Sequence, residues 1–418
     1  MHSRFDPLPI ADVGEAGLLP FGNGRSYGDS CLNEGGLLLD TRGLDRFIRF
    51  DPQRALLRCE SGVLLGEINA LIHPHGLVLP TTPGTRFVTV GGALANDVHG
   101  KNHHRVGSFG CHVTCLELLR SDGERLLCSA EHNADWFAAT IGGLGLTGLV
   151  TWAEIALRRV PTPDLEVEFL PCANLDQVLE QSQQAEQGHE YIAAWIDCLA
   201  RGPHLGRGYL MRANHASTAS VGPRRPPRRA VRVPLTPPLS PLNACSLRIF
   251  NALIHARHAR GVTRRRMSYD AFHYPLDAVL GWNRLYGPRG FLQYQCVVPE
   301  PDAGGAIRRL LERIAAAGEG SFLTVLKKLG DRPSTGMLSF PRPGLSLALD
   351  FPFRGDRTLR LLRELDETVA RAGGALYPAK DARMSAEMFA SGYSRAAAAK
   401  AFHDPRFSSS FWRRVMPG

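Results

Sequence analysis

The stretch of residues 80–110 constrains the fold of this chain most, because six glycines, three histidines and one lysine fall within it. Glycines at this density mark backbone that adopts positive φ, or that lies closer to another group than a Cβ permits. We expect a turn at Pro83-Gly84, a short strand over residues 87–90, and a helix opening at residues 91–95 whose free amides would face an anion. A packing interpretation, in which this is a glycine-rich turn with surface histidines, stays open.

Two further glycine-rich loops lie within the first 150 residues. Residues 22–30, GNGRSYGDS, form a segment whose amides can surround a pyrophosphate, an arrangement called a nest. Residues 142–148, GGLGLTG, precede the strand pattern at 149–157. The loop at 22–30 does not match the G-x-G-x-x-G dinucleotide fingerprint, and by itself it is weak evidence. Three such loops separated by short strands predict an α+β domain that holds one extended, phosphate-bearing cofactor.

Beyond residues 160–164, VPTPD, the pattern predicts a second α+β domain. Strand patterns at 165–170, 191–196, 291–298, 322–328 and 345–350 alternate with helical patterns at 175–186, 306–317 and 358–372. This order favours an antiparallel sheet with helices on one face. A Pro- and Arg-rich insertion at 213–243 is expected to be mobile. The predicted domains are therefore residues 1–160 and 161–375, followed by a C-terminal segment at 376–418.

The net charge of +9 is concentrated in one interval. Residues 198–269 contain no Asp or Glu but 14 arginines, and subtracting these from +9 leaves about −5 for the rest of the chain. Such an interval could attract nucleic acid, an anionic membrane surface or a phosphorylated substrate. A solvated basic loop is the plain alternative. Because the interval is broken by prolines and lacks interleaved aromatic residues, we expect no nucleic-acid partner.

Composition favours a soluble, cytoplasmic protein. Of the 418 residues, 44% are hydrophobic and 21% charged, and no apolar run approaches the roughly 20 residues that cross a bilayer. The first ten residues, MHSRFDPLPI, lack the apolar core of a signal peptide. Nine cysteines without a C-x-x-C pair indicate reduced thiols, so we expect neither a disulfide framework nor a metal site.

Six motifs together resemble those of one enzyme family. They are GNGRSYGD at 22–29, PGTRFVTVGGALANDVHGKNHH at 83–104, GSFG at 107–110, GLTG at 145–148, GPRGFLQYQ at 287–295 and YPAKDAR at 377–383. On these motifs the chain is similar, from about residue 18 onward, to the decaprenylphosphoryl-β-D-ribose 2′-oxidase family of vanillyl-alcohol-oxidase type flavoproteins. The resemblance implies an α+β fold with a two-part FAD-binding domain and a substrate domain containing an antiparallel sheet. It also implies that the segment 376–418 returns to the FAD domain.

The resemblance assigns a set of residues to FAD. The first loop and residues 84 and 89–92 would surround the pyrophosphate, Asn96 and His99 would lie near the flavin, Val150 near the adenine half, and Tyr377 beside the ring. Many relatives attach FAD covalently to a histidine just before the serine of the first loop; Arg25 stands there, so we expect non-covalent FAD. The implied cofactor-binding set is Gly22, Asn23, Gly24, Arg25, Ser26, Tyr27, Gly28, Asp29, Ser30, Gly84, Thr89, Val90, Gly91, Gly92, Asn96, His99, Val150 and Tyr377.

The implied chemistry is oxidation of a secondary alcohol, which needs an acceptor for hydride and a base for the hydroxyl proton. A base whose pKa lies near the working pH suits this step, and by resemblance Lys380 and His99 occupy the catalytic positions. The residues that match the family's substrate pocket are Tyr27, Gln293, Gln295 and Lys327, and a lysine there can meet a phosphate. Three alternatives stay open: Lys380 pairs with Asp381, His99 is packed and orients its loop, or the two glutamines lie on the wet outer face of the sheet.

The first hypothesis is therefore FAD-dependent oxidation of the 2′-hydroxyl of a polyprenyl-phosphoryl pentose to the 2′-keto sugar. This would be the first half of an epimerisation, with a short-chain reductase as partner. The arginine interval would fit peripheral contact with the anionic inner face of the membrane. An alditol or aldonolactone oxidase acting on a free sugar is the alternative, and a nucleic-acid-binding protein is a remote one. Ser346, Ala348 and Ala193 replace the asparagine, cysteine and serine of the family, which leaves the exact substrate open.

Overall fold

The computed structural model describes residues 6, 8–9, 14–218, 231–238 and 240–417. The chain divides into two compact units. The first takes in the described residues up to Pro163, Arg332–Arg342 and those from Pro378 onward, and the second takes in Asp164–Asp331 and Pro343–Tyr377. The sequence pattern assigns residues 332–342 to the substrate domain, but they group with the first unit, where the Met337 amide donates to Ala138 O at 2.8 Å.

The elements are numbered in chain order. Residues 14–163 form β1 (Leu18–Phe21), β2 (Leu37–Asp40), β3 (Phe47–Asp51), β4 (Leu56–Glu60), α1 (Leu65–Ile72), β5 (Leu77–Val78), α2 (Val90–Ala95), α3 (His103–Val106), β6 (Val113–Leu119), β7 (Arg125–Ser129), α4 (Ala134–Thr140), β8 (Leu149–Ala156) and β9 (Arg158–Arg159). The described residues of 164–377 form β10 (Leu165–Cys172), α5 (Leu175–Ala185), β11 (Tyr191–Ile196), β12 (Gly208–His215), β13 (Val231–Arg232), α6 (Ala244–His258), β14 (Thr263–Met267), α7 (Tyr269–His273), β15 (Val279–Leu280), β16 (Phe291–Val298), α8 (Ala303–Ala317), β17 (Thr324–Leu329), β18 (Gly344–Pro352), α9 (Asp356–Arg371) and β19 (Ala375–Leu376). Helices α10 (Ala386–Gly392), α11 (Ala396–Lys400) and α12 (Ser410–Val415) follow. None of the helices in these ranges is both long and apolar enough to cross a bilayer.

The first unit is built on a five-stranded sheet with the order β3-β4-β8-β6-β7, in which every neighbouring pair is antiparallel. Strand β8 shows the pattern expected of a half-buried strand, because alternate residues from Leu149 to Ile155 are buried. Helix α1 packs on the core of this unit. The Glu67 carboxylate accepts a hydrogen bond from the Leu64 amide at 2.9 Å, which fixes where α1 begins.

The second unit contains an eight-stranded antiparallel sheet with the order β14-β10-β12-β11-β17-β18-β16-β19. One face of its centre is apolar and buried, with Tyr294 and Cys296 of β16 beside Leu347 and Leu349 of β18. Burial raises the pKa of the Cys296 thiol to about 12, and Asp366 of α9 adds to this rise. Helix α9 therefore packs on the apolar face.

Helix α6 packs on the opposite face of this sheet. The pairing register runs from Tyr209 through Trp195, Val325 and Ala348 to Gln295, so Tyr209 shares the face of Gln295 and not that of Cys296. His258 of α6 stacks on Tyr209, with ring centroids 4.2 Å apart. The sequence analysis does not predict helix α6, which lies on the face opposite to α9.

Part of the predicted mobile insertion belongs to the sheet. Ala213 lies in β12, where it pairs with Val167 on one side and Tyr191 on the other, because residues 208–215 continue the strand pattern. Within the same insertion, β13 pairs in parallel with β15. Residues 219–230 and 239 of the predicted insertion lie outside the described residues.

The most strongly patterned elements agree with the sequence. The strands predicted at 191–196 and 291–298 are β11 and β16, and the helix predicted at 175–186 is α5. Asn174 caps α5, since its side-chain oxygen accepts a hydrogen bond from the Gln177 amide at 3.1 Å. The predicted α+β class with an antiparallel sheet is confirmed.

Candidate functional site

The first glycine-rich loop, residues 22–30, packs against residues 87–89. A Cβ on Gly22 would lie 2.5 Å from Thr89 Oγ1, so only glycine permits this approach. The Asn23 side chain donates to Phe87 O at 2.9 Å. The Arg25 guanidinium lies over the Phe87 ring, 5.3 Å from its centroid. Two segments that the sequence assigns to the same cofactor are thus joined within the first unit.

The middle of this loop offers unused hydrogen-bond donors. Among the residues that the structure describes, no acceptor pairs with the backbone amides of Gly24, Arg25 and Ser26. Gly24 has φ +56°, and the alternation of left-handed and ordinary backbone is the geometry that turns successive amides toward one anion. The hydroxyl of Ser30 is buried and has no hydrogen-bond partner within the described part of the chain. These donors fit the pyrophosphate of a dinucleotide cofactor.

The prediction that free amides at the start of the helix at 91–95 face an anion is wrong. Residues 87–90 do not form a strand, because Thr89 caps α2 and its hydroxyl accepts from the Gly92 amide at 3.1 Å. The amides of Val90 and Gly91 donate to Val63 O at 2.9 Å and Ser61 O at 2.7 Å. The opening of α2 therefore has its amides satisfied by protein atoms, and they are not available to an anion.

Gly84 differs from its neighbours in the glycine-rich stretch. A Cβ built on Gly84 would meet no heavy atom within 4 Å, so nothing in the protein itself requires glycine there. Open space at a glycine of a candidate cofactor site is consistent with a ligand that approaches the backbone closely.

Lys380 lies against Tyr27 of the first loop. The Lys380 Nζ is 3.9 Å from the centroid of the Tyr27 ring, close enough for a cation–π contact. The Tyr27 amide donates to Ala379 O at 2.8 Å. At the next residue, a Cβ on Gly28 would lie 1.4 Å from Asp381 O. The structure thus brings together the first loop and the YPAKDAR motif, which are about 350 residues apart in sequence.

Arg414 of α12 fastens the two segments together. Its guanidinium donates to Asp29 at 2.7 and 2.9 Å and to Asp381 at 2.9 Å. Asp381 is 5% exposed and also accepts from the Met384 amide at 2.8 Å. The sequence analysis does not identify Arg414, because an arginine in a basic C-terminal helix carries no pattern that points to a partner 385 residues away.

His99 is a buried residue of the first unit. It is 5% exposed, and its ring centroid is 5.6 Å from that of Phe340 and 6.4 Å from that of His103. The adjacent loop is held by Asp97, which accepts from the Gly110 amide at 2.8 Å and the Ser339 hydroxyl at 2.5 Å. Burial raises the pKa of Asp97. This packing agrees equally with a histidine that orients its loop and with one that meets a cofactor.

In the second unit, Gln293 and Gln295 share one sheet face, as predicted from alternation, and the pairing register places Lys327 on the same face. Gln295 is 6% exposed and donates to the Ser346 hydroxyl at 3.1 Å, which excludes the wet outer face for this residue. Gln293 donates to Asp350 Oδ1 at 2.6 Å. Asp350 is fully buried and was not identified from the sequence, because an aspartate within an apolar strand resembles a strand end. This face is polar at a depth where sheets are normally apolar.

Lys327 is half-buried on this polar face, directly opposite Ser346 in the register. Burial lowers the pKa of its ammonium group from the ordinary value of 10.5 to about 8. No carboxylate or hydrogen-bond acceptor pairs with it among the residues that the structure describes. A desolvated cation without an internal counter-ion is unfavourable, and an anionic ligand would remove that cost.

The remaining predicted residues lie in both units. Asn96 donates to Gly92 O at 2.9 Å at the end of α2, and Val150 pairs with Leu118 in the first sheet. Tyr377 is 5% exposed, and its amide donates to Gln295 O at 2.9 Å. Within the described ranges, no group of three or more His, Cys, Asp or Glu side chains is arranged to hold a metal ion.

Comparison with known proteins adds to this geometry. A family model described as an FAD binding domain matches residues 10–129. Decaprenylphosphoryl-β-D-ribose oxidase from Mycolicibacterium smegmatis is 37% identical over 398 residues, which cover 92% of this chain and 85% of the relative. An uncharacterized protein from Streptomyces coelicolor is 35% identical over 337 residues, 78% of this chain and 91% of its own. L-gulonolactone oxidase from Mus musculus is 29% identical over 173 residues, 41% of this chain and 38% of the relative.

Proposed function

Because the chain belongs to the decaprenylphosphoryl-β-D-ribose oxidase family, we propose that it oxidises the 2′-hydroxyl of a polyprenyl-phosphoryl pentose to the 2′-keto sugar. It is an FAD-dependent oxidoreductase that acts on a CH–OH group. The product is a ketone, and a reductase must reduce it from the other side to complete an epimerisation. A short-chain reductase is the partner class that this chemistry needs.

The proposal of a phosphorylated substrate is supported mainly by the position of Lys327 on the polar sheet face. Lys327 is a half-buried cation without a counter-ion among the described residues, and burial lowers its pKa to about 8, so at neutral pH it is still mostly charged. A phosphate group supplies the missing negative charge and several acceptor oxygens. The neighbouring amides of Gln293 and Gln295 can bind sugar hydroxyls. A free sugar carries no negative charge that could pair with the Lys327 ammonium group.

The residues of the first unit supply the rest of the reaction. FAD, when bound, accepts the hydride that leaves the substrate carbon. The amides of Gly24, Arg25 and Ser26 and the Ser30 hydroxyl would hold its pyrophosphate. Lys380, as the neutral amine, would take the proton of the 2′-hydroxyl, and the Tyr27 ring would stabilise the ammonium group that forms. His99, in its buried loop, is the second catalytic candidate.

Substitution of Lys380 tests this assignment. Lys380→Ala should retain the spectrum of bound flavin while reduction of the flavin by a polyprenyl-phosphoryl ribose slows by roughly a hundredfold or more, the range for loss of a general base. The matched control is Lys400→Ala, which removes an exposed lysine of the same unit and should leave the rate unchanged. Equal rates in Lys380→Ala and the wild type would exclude Lys380 as the base.

The mode of FAD attachment has its own test. Because Arg25 occupies the position at which covalent relatives carry histidine, acid precipitation should release all yellow colour into the supernatant. The Arg25 guanidinium lies over Phe87 and offers no nucleophile for a flavin methyl group. Flavin that stays with the protein pellet would contradict the argument.

An alditol or aldonolactone oxidase is the second candidate, supported by the partial similarity to L-gulonolactone oxidase. That similarity covers 41% of the chain, against 92% for the decaprenylphosphoryl-β-D-ribose oxidase. Anaerobic bleaching of the bound flavin by free alditols, but not by phosphorylated sugars, would favour it. Salt-sensitive binding to duplex DNA by a colourless protein would instead support the nucleic-acid alternative.

A further inference from the structure

Helix α6 carries an exposed apolar surface that the proposed reaction does not use. We define the α6 stripe as Ile249, Ala252, Leu253 and Ala256, which lie one helical turn or less apart on the outer side of the helix. All four are exposed, and the side chains of Ile249 and Leu253 are 58% and 66% exposed. Two large aliphatic side chains side by side in water on one helix are unusual for a solvated surface.

The inner side of α6 is fixed, so the stripe has a defined outward direction. Leu247, Asn251 and His258 are buried and follow helical spacing on the side away from the stripe. Asn251 donates from its side-chain amide to Asp197 Oδ1 at 2.8 Å, and Asp197 is in turn paired with Arg207 at 3.0 Å. Together with the stack of His258 on Tyr209, these contacts anchor the helix along its whole length.

Arginines border the stripe on both sides. At about 100° per residue, Arg248 lies on one side of Ile249 and Arg257 on the other, and Arg260 follows just after the helix ends. All three are exposed. No acidic residue occurs anywhere in residues 198–269, so no carboxylate of this interval competes for these guanidinium groups.

The same interval concentrates the exposed apolar residues of the molecule. Of the 12 large hydrophobic residues that are exposed in the described chain, six fall within residues 231–262: Val231, Leu235, Ile249, Phe250, Leu253 and Val262. Single exposed hydrophobic residues are ordinary. Here half of them fall in about a thirteenth of the sequence, and five of the other six fall within residues 32–48 of the first unit.

We propose that the α6 stripe docks in the plane of an anionic lipid bilayer. The aliphatic side chains would enter the boundary between headgroups and acyl chains, while the arginines on either side bind lipid phosphates, which is the arrangement of interfacial amphipathic helices. A second copy of the chain is a poorer occupant, because it would bring an equally acid-free, arginine-rich surface against this one. The inference rests on the proposed function in that a polyprenyl-linked substrate resides in such a bilayer.

Flotation of the FAD-loaded enzyme with vesicles tests the proposal without substrate. The wild type should bind vesicles of phosphatidylcholine and phosphatidylglycerol at 3:1, bind weakly to phosphatidylcholine alone, and lose affinity as salt rises. Ile249→Ser with Leu253→Ser should weaken binding at least about tenfold. Arg248→Gln with Arg257→Gln should weaken it roughly thirtyfold on the anionic vesicles only.

Matched variants separate the stripe from general surface properties. Leu38→Ser with Leu127→Ser removes two exposed leucines of the first unit, and Arg360→Gln with Arg363→Gln removes two exposed charges of α9; both should bind as the wild type does. Failure of the wild type to bind anionic vesicles, or equal binding by the stripe variants and their controls, would overturn the proposal. So would a change in oligomeric state, without loss of vesicle binding, in the stripe variants. Turnover on a water-soluble, short-chain substrate reports on the proposed function separately.

Discussion

Replacement of Lys327 by methionine should stabilise the second unit while weakening substrate binding. The shift of the Lys327 pKa from 10.5 to about 8 means that folding disfavours its charged form. At pH 7 the corresponding cost is about 3 kcal/mol, since each pKa unit corresponds to 1.36 kcal/mol. Methionine keeps most of the volume of the lysine stem and carries no charge, so Lys327→Met should recover most of that free energy of unfolding.

The pH dependence of this gain is the sharper measurement. The unfolded state binds the lysine proton more tightly than the folded state, so the cost is fully present below pH 8 and decreases as pH rises toward 10.5. The gain in Lys327→Met should therefore fall from about 3 kcal/mol at pH 7 to about 1 kcal/mol at pH 9.5. For a unit of this size the gain at pH 7 corresponds to a rise in Tm of roughly 6 to 12 °C.

Lys328, the next residue in β17, provides the control for the measurement of stability by calorimetry. Lys328 points to the other face of β17, and its ammonium pairs with Glu186 at 2.8 Å. Lys328→Met should therefore leave stability unchanged or lower it slightly. A Lys327→Met variant that is no more stable than the wild type, or whose gain does not change with pH, would refute the account of Lys327 as a desolvated, uncompensated cation. In kinetics, the same variant should raise KM for the phosphorylated substrate with little change in kcat.

Two glycine substitutions address the first unit. Gly28→Ala places a Cβ 1.4 Å from Asp381 O. Because Cβ atoms essentially never lie within 3.0 Å of such an atom, the backbone must shift by about 1.6 Å. We expect a loss of roughly 1–3 kcal/mol in stability and a hundredfold slower flavin reduction, measured by calorimetry and stopped flow, whereas Gly188→Ala, in open space, should be neutral. Gly84→Ala should leave the stability of the FAD-free protein unchanged, because no protein atom is near, yet weaken FAD binding in a flavin titration. Unchanged FAD affinity in Gly84→Ala would remove Gly84 from the cofactor site.

The sequence predicts elements well where all of its local signals agree. Strand β16 and helix α5 have the predicted bounds to within one residue, because alternation, helical spacing and the Asn174 cap all agree. The strand prediction for residues 87–90 is wrong because the local signals there conflict. Their β-branched composition favours a strand. However, the Thr89 hydroxyl caps α2, and the amides of Val90 and Gly91 donate hydrogen bonds to the carbonyl oxygens of residues 63 and 61.

Candidate site residues were found where they lie in dense motifs and missed where they act across long separations. The loop at 22–30 and Lys380 carry local signatures, whereas Asp350 sits in an apolar strand and Arg414 in a basic helix. Their roles arise from partners: Asp350 accepts from Gln293, and Arg414 binds Asp29 and Asp381. No local pattern in a single sequence encodes such pairings, because they depend on which distant segments the fold brings into contact.

The bond between Arg414 and Asp29 sets an order of events during synthesis. Asp29 leaves the ribosome 385 residues before its guanidinium partner, and Asp381 precedes that partner by only 33. The early loop lacks the backbone against which Tyr27 and Gly28 rest until residues 379–381 have been made, and it lacks its ionic contact with Arg414 for a further 33 residues. Flavin capture should therefore be a late, post-translational step, and nascent chains truncated before residue 414 should remain colourless even when most of the polypeptide has already folded.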